Sequence, residues 1–130
     1  MGLDNGIEIR RRDNLPPCTS IFDEEWRKRN NYDLEVAYWR KCWNVRAIIF
    51  GILQRGDDNN SVLEISREEV LEIIKQLKGI NYNNFYDGAG CIWNWNEFRR
   101  INRRNIRNLA KLARMMKRHP EIEVYFYDSY

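Results

Sequence analysis

Residues 97–118 constrain the fold more than any other part of the sequence, because apolar side chains and cations recur there with the period of an α-helix. At 3.6 residues per turn, the apolar side chains fall in one stripe and the cations within about 140° of arc beside it. Asn96 is the expected N-cap, and Pro120 should stop the helix. The stripe contains Phe98, Ile101, Ile106, Leu109, Leu112, Ala113 and Met116. The segment therefore predicts a long surface helix that packs its apolar stripe on a core.

Nine cations form the other side of this helix, and we call them the basic face: Arg99, Arg100, Arg103, Arg104, Arg107, Lys111, Arg114, Lys117 and Arg118. With one carboxylate, Glu97, residues 97–118 carry a net charge of +8; the chain carries +3, so the other residues carry −5. Regularly spaced guanidinium groups suit phosphate, which predicts nucleic acid or an acidic protein as partner. The alternative is a solvated face, or one paired internally with Asp23, Glu24, Glu25, Glu68, Glu69 and Glu72.

A second, central core helix is expected at residues 34–55, with Asp33 as its N-cap and Gly56 just beyond its end. At helical spacing its apolar arc covers close to half the circumference. The arc contains Tyr38, Trp39, Cys42, Trp43, Val45, Ile49, Phe50 and Leu53. These aromatic side chains are better explained by packing than by a cofactor site.

A third helix should begin at the capping box Ser66-Arg67-Glu68-Glu69 and end before Gly79. Its expected inner face is Val70, Leu71, Ile73, Ile74 and Leu77. Residues 6–10, 62–65 and 121–127 are short enough and apolar or alternating enough to be strands, with the last pairing with the first. The chain is thus expected to be one α+β domain, residues 1–130, with a small, mainly antiparallel sheet of about three strands and about three helices.

Two segments are expected to be loops. Residues 23–31 are charged and rich in asparagine, which predicts a loop with a short helix. Residues 81–96 are rich in Gly, Asn and aromatic side chains, and are long enough to suggest a structured, functional loop. Asn102 and Asn105 fall within the apolar stripe of the basic helix, so they need polar partners, expected from this second loop.

Several classes of protein are disfavoured by the composition. No apolar run approaches the roughly 20 residues of a membrane span, and the N-terminus has no secretory pattern, so we expect a cytosolic protein. Cys18, Cys42 and Cys91 are odd in number and widely spaced, which favours reduced thiols over a disulfide framework or a zinc site. The only histidine, His119, is expected at a helix end. No cofactor or metal motif is found.

Four pieces of the chain, in order, resemble a family of small uncharacterised proteins of bacteriophages and prophages. They are the start MGLD, the segment EVAYWRK at 35–41, an acidic turn and strand leading to SRE at 57–68, and the aromatic end YFYDSY at 125–130. The chain differs from that pattern at Arg46, where the family usually has His, and in the loop Gly88-Ala-Gly-Cys-Ile-Trp. The resemblance implies a phage-type accessory protein in a bacterial cytosol, and implies no reaction.

The leading hypothesis is a non-catalytic protein that binds nucleic acid or an acidic protein through the basic face. A small metal-assisted hydrolase using Asp4, Glu8 or Glu35 is the first alternative, and a structural homo-oligomer with no ligand is the second.

A candidate pocket would combine charge with aromatic walls, as Asp4, Glu35, Tyr38, Trp39, Arg40, Trp93 and Trp95 do. Ordinary surface pairing of Glu35 with Arg40 or Lys41 is the simpler explanation of part of that set. The two tryptophans would either stack on bases or anchor the loop.

Overall fold

The computed structural model describes residues 4–10, 34–55, 62–85 and 92–129, so the loop expected at 23–31 lies outside the described residues. Within these ranges the chain forms a four-stranded antiparallel sheet and three helices, which confirms the α+β class. The strands are β1 (Asp4–Arg10), β2 (Leu34–Arg40), β3 (Val62–Glu64) and β4 (Glu123–Ser129); the helices are α1 (Trp43–Leu53), α2 (Arg67–Lys78) and α3 (Trp95–Arg118). None of these helices is long and apolar enough to cross a membrane.

The sheet has the strand order β2-β1-β4-β3, with β1 and β4 at its centre. As the sequence predicted, β4 pairs with β1 along its length, and Asp4 stands opposite Ser129. Ile7 stands opposite Phe126, and both are fully buried, so they define the covered face of the sheet. Phe50 of α1 packs edge-on against Phe126, with ring centroids 5.5 Å apart. The helices therefore cover this face and build the core on it.

The helix expected at residues 34–55 is wrong in its first half, which forms strand β2. β2 pairs antiparallel with β1, and a bulge between Ile7 and Glu8 shifts the register. Lys41 then adopts a left-handed backbone, with φ of 51°, and turns the chain into α1. Helical spacing and strand alternation both fit this aromatic segment. Pairing decides between them, because without β2 the edge of β1 would leave its backbone groups unpaired.

The second half of the segment is helical, with a smaller buried face than expected. Val45, Ile49 and Leu53 of α1 are buried. Trp43 is 44% exposed, although the helical arc placed it in the core. Its ring packs against the Arg46 guanidinium instead, 5.4 Å from the centroid. The strand before α1 moves the start of the helix to the edge of the core, which accounts for this exposure.

A buried ion pair joins α1 to the sheet. The Arg46 guanidinium donates from Nε to Asp128 Oδ1 at 3.0 Å and from an Nη to Oδ2 at 3.0 Å. The Asp128 side chain is fully buried and also accepts from the amide of Asn5, its partner across the strands. In a bidentate ion pair of this kind both carboxylate oxygens accept hydrogen bonds, and removing one partner would leave a buried charge. Arg46 therefore has a structural role in this chain.

Cys42 precedes α1 and is fully buried and disulfide-bonded. This overturns the expectation that the thiols are reduced, which rested on the odd number and wide spacing of the cysteines. Sequence spacing does not reveal whether a cysteine lies close enough to a second one to form a disulfide. Cys18 and Cys91 lie outside the described residues.

Helix α2 begins at the predicted capping box. The Ser66 hydroxyl accepts from the Glu69 backbone, and the Glu69 carboxylate accepts from the Ser66 backbone. The helix ends at Gly79, as expected. Val70, Ile73, Ile74 and Leu77 are buried, whereas Leu71, assigned to the same face, is 41% exposed. The inner face predicted for α2 therefore included one residue, Leu71, that is not buried.

Helix α3 begins at Trp95, so both its first residue and its N-cap lie two positions earlier than the sequence predicted. Asn94, not Asn96, is the N-cap, and Asn94 and Glu97 form a reciprocal capping box. Trp95 is consequently the first helical residue rather than part of a loop. The helix ends before His119, whose backbone N–H bonds to the Met115 carbonyl. At 1.5 Å per residue its 24 residues span about 36 Å.

Candidate nucleic-acid interface

The basic face of α3 is open to solvent. Eight of its nine cations are exposed, and Lys111 is half-buried. Within the part of the chain that the structure describes, none of the nine lies within ion-pairing distance of a carboxylate. Their charges are therefore not neutralised by any described residue.

The carboxylates of α2 that could have neutralised the basic face have other roles. Glu69 forms an ion pair with Arg55 at 2.6 Å, and this hydrogen bond lowers the pKa of the Glu69 carboxyl below its usual value of 4.5. Glu72 accepts from Gln76 on its own helix, and Glu68 is exposed. Internal pairing with α2 is thus not observed. Asp23, Glu24 and Glu25 lie outside the described residues.

Three asparagines at spacing three attach α3 to its neighbours. Asn102 donates to the Leu77 carbonyl at 3.1 Å, Asn105 to the Tyr38 carbonyl at 3.0 Å, and Asn108 to the Val36 carbonyl at 3.2 Å. We call these three residues the asparagine ladder. Its last two members satisfy carbonyls of β2, the edge strand, so α3 shields that edge. These described partners belong to α2 and β2, and not to the described part of the loop that was expected to supply them.

A groove of about 460 Å³ lies between the C-terminal end of α2 and the N-terminal half of α3. Its apolar lining is Leu77, Ile80, Trp95 and Ile106. Its cationic lining is Lys78, Arg99, Arg103 and Arg107. No acidic side chain is among the described residues that line it. The volume is typical of sites that take a small ligand.

A second hollow, of about 300 Å³, lies on the outer side of α3. Among described residues it is lined by Asn96 and four arginines: Arg99, Arg100, Arg103 and Arg107. Arg99, Arg103 and Arg107 line both the groove and this hollow, so they form the rim between them; we call them the arginine row. Their spacing of four residues places successive guanidinium groups on one side of the helix.

Aromatic side chains cluster at the groove. Trp95 lies 5.5 Å from Phe85 and 6.4 Å from Phe98 between ring centroids, and Phe85 stacks on Phe98 at 4.8 Å. Tyr82 meets the Trp95 ring edge-on at 6.3 Å and is 72% exposed. The basic helix therefore carries an aromatic side chain of its own. Trp95 was expected in the preceding loop, and Tyr82, Ile80 and Lys78 were not among the predicted site residues.

The seven residues of the candidate pocket are distributed over several places. The Tyr38 hydroxyl donates to Asp4 at 2.7 Å on the sheet face opposite the core, and Arg40 is exposed. Trp39 alternates with Tyr38 along β2, so it points into the core and is fully buried. Trp93 is half-buried against the core, and Trp95 lines the groove. The structure brings Asp4, Glu35 and Tyr38 to one sheet face.

On that sheet face, tyrosine hydroxyls donate hydrogen bonds to carboxylates. The Tyr127 hydroxyl donates to Glu35 at 2.7 Å, and Glu35 stands opposite Glu8 in the register of β1 and β2. Burial, chiefly, raises the pKa of the Glu35 carboxyl, and the nearby charges of Glu8 and Asp4 raise it further against the Tyr127 hydrogen bond. The Tyr127 ring lies across Gly6, where an added Cβ would overlap its Cε1 atom.

The two tyrosine hydroxyls on this face are held as hydrogen-bond donors. Burial first, and then the hydrogen bond to Asp4, raises the pKa of Tyr38 to about 12. Burial and the bond to Glu35 raise the pKa of Tyr127 as well. Glu8, named for the hydrolase alternative, forms an ion pair with Arg10 at 2.9 Å. Among the described residues no group of three or more His, Cys, Asp or Glu is arranged to hold a metal ion.

No family model, no curated protein and no solved structure matches the chain.

Proposed function

We propose that this protein is a non-catalytic nucleic-acid-binding protein whose basic face on α3 contacts phosphate groups. The observation that carries the proposal is the set of nine cations on one helix, eight of them exposed and none paired with a described carboxylate. Arginine donates in a fixed fork that suits phosphate oxygens, and a helix repeats that fork at a regular interval.

The positions of these cations along α3 support a role in binding. Lys117 and Arg118 lie in the last turn, where the helix dipole favours positive charge. The arginine row runs from the second turn to the middle of the helix, where the dipole offers no such benefit. Like charges four residues apart destabilise a helix by about 0.2–0.5 kcal/mol per pair. A polyanion that neutralises the row would remove this repulsion.

The net charge of the chain also favours local recognition. The chain as a whole carries only +3, and residues outside 97–118 carry −5, so general attraction to polyanions is weak. Binding must then depend on the orientation that presents α3. Trp95 lines the groove together with the arginine row, and the exposed Tyr82 meets its ring. These aromatic rings favour nucleic acid over an acidic protein, since aromatic rings stack on bases.

A salt titration tests the proposal. Binding of a labelled single strand and a labelled duplex would be measured by fluorescence anisotropy between about 50 and 200 mM salt. If five of the nine cations contact phosphate, the plot of log affinity against log salt for a single strand should have a slope of about −3.5. Absence of binding at low salt would overturn the proposal. Polyglutamate binding as tightly as the single strand would favour an acidic protein partner instead.

We place the protein, within this proposal, among phage-type accessory proteins acting in a bacterial cytosol. The support is the resemblance of its MGLD, YWRK and SRE pieces to phage proteins. The disulfide at Cys42 bears against this location, because the cytosol keeps thiols reduced. Thiol trapping of the protein directly in lysed host cells distinguishes the two: an alkylated Cys42 supports the cytosol, and a protected one argues for an oxidising compartment.

A further inference from the structure

We propose that the groove between α2 and α3 receives an unpaired base of a single-stranded nucleic acid, while the arginine row holds the adjoining phosphates. This inference rests on the proposed function and names its ligand as single-stranded. Four features of the groove carry it: an apolar lining, a tryptophan, a cationic rim and a second hollow beyond that rim.

The lining of the groove suits a base. Leu77, Ile80 and Ile106 supply apolar walls, and Trp95 supplies an aromatic ring at the end where α3 begins. Trp95 is half-buried and fixed by Phe85 and Phe98, so its ring is already oriented before a ligand arrives. A base that enters the groove therefore gains stacking with little ordering of the protein.

The rim of the groove suits the backbone that carries the base. Arg99, Arg103 and Arg107 line the groove on one side and the outer hollow on the other. Lys78 faces the groove from α2. A strand that follows the outer hollow can direct one base over the arginine row into the groove while its phosphates stay among the guanidinium groups. No acidic side chain is among the described residues lining either space.

This arrangement selects against a duplex. In a double helix the bases are stacked and paired, so none can enter the groove beside α3 unless it is flipped out at a cost. A duplex would contact the arginines and leave the groove unused. A single strand uses both, and stacking is insensitive to sequence because every base has a π-face. The expected ligand is thus a single strand of mixed sequence.

The first test uses the unaltered protein and three ligands, of which the single strand and the abasic strand are matched in charge. These are a single strand of about 12 nucleotides, the same backbone without bases, and the duplex. The intact single strand should bind about 5- to 150-fold more tightly than the abasic strand, the range expected for stacking of one base. Equal affinity for the intact and abasic strands would overturn the inference.

The second test locates the stacking residue. Trp95→Leu keeps an apolar side chain against Phe85 and Phe98, and Trp93→Leu is the matched control, because Trp93 is half-buried and lines neither space. Trp95→Leu should weaken binding of the intact single strand about 5- to 150-fold and leave binding of the abasic strand unchanged. Equal losses for both strands, or equal losses in the two variants, would refute a base in the groove.

The outcomes separate this inference from the proposed function. If none of the three ligands binds the unaltered protein at low salt, the proposed function fails and the groove fails with it. If all three bind alike with a steep salt dependence, the basic face binds phosphate as proposed and the groove inference alone is wrong. Should Trp95→Leu not fold, Tyr82→Ala offers a further variant, since Tyr82 is largely exposed and touches the Trp95 ring. Tyr82→Ala should weaken binding of the intact strand only. Equal losses of affinity for the intact and abasic strands would again refute the inference.

Discussion

Removing two guanidinium groups from the arginine row should change the salt dependence of binding by a predictable amount. The perturbation is Arg103→Gln with Arg107→Gln, because glutamine has nearly the same helix propensity as arginine. The matched control is Arg40→Gln with Lys75→Gln. Both are exposed, neither is in an ion pair within the described residues, and neither lines the groove or the outer hollow. Each double variant lowers the net charge from +3 to +1.

The magnitude follows from counterion release. Each phosphate contact contributes about 0.7 to the slope of log affinity against log salt for a single strand, so the loss of two contacts should reduce the slope by about 1.4. Over a fourfold rise in salt, from about 50 to 200 mM, the Arg103/Arg107 variant should then lose about sevenfold less affinity than the unaltered protein loses. The control should retain the original slope, because its two cations lie away from the ligand.

Fluorescence anisotropy at several salt concentrations measures both slopes with one labelled strand. Exposed substitutions without partners should change the free energy of unfolding by no more than about 0.5 kcal/mol, which urea denaturation verifies. Equal reductions of slope in the two variants would show that net charge, and not the arginine row, governs binding. An unchanged slope in the Arg103/Arg107 variant would show that these guanidinium groups do not contact phosphate.

Three further predictions concern the fold. Gly6→Ala should lower the free energy of unfolding, measured by urea denaturation, by about 1–3 kcal/mol, because its Cβ would overlap the hydrogen-bonded ring of Tyr127. Gly51→Ala should raise that free energy by about 0.5–1 kcal/mol, because Gly51 is an exposed helical position with open space around it. Arg46→Met should cost about 3–5 kcal/mol by leaving Asp128 buried and unpaired, and Asp128→Leu added to it should recover part of that loss. Because the pKa of Glu35 is raised in the folded protein, its contribution makes the unfolding free energy fall as pH rises above the unfolded value of 4.5, and Glu35→Gln should flatten that decline.

Elements with a local stop or start signal were predictable. The capping box at Ser66 and Glu69 fixed the start of α2, and Gly79 fixed its end, since both act through neighbouring backbone groups. The alternation of apolar and polar residues identified β4 as a strand. Strand β2 was not predictable in the same way, because its identity depends on pairing with β1, about 30 residues earlier in the chain, a contact that the period of a short aromatic segment does not encode.

The candidate site was predictable in its charge and not in its shape. Angular spacing alone located the nine cations on one side of α3. The groove, however, depends on Leu77 and Ile80 at the end of α2 meeting Trp95, Arg103 and Ile106 of α3, and this juxtaposition arises only from packing. The sequence indicated that Asn102 and Asn105 need polar partners, and the same spacing of three leads on to Asn108, which was not predicted.

The asparagine ladder explains why the cations of α3 remain available. A helix with this charge needs attachments to the fold that do not consume its guanidinium groups. The buried stripe supplies apolar contacts, and Asn102, Asn105 and Asn108 donate to backbone carbonyls, which are always present and need no acidic partner. Neutral donors thus fix the orientation of α3 against α2 and β2. Since the orientation of α3 is fixed without ion pairs to described carboxylates, the charges of the arginine row remain available to a ligand. Losing a residue of the asparagine ladder should therefore reduce both stability and binding. Losing an arginine of the row should reduce binding alone.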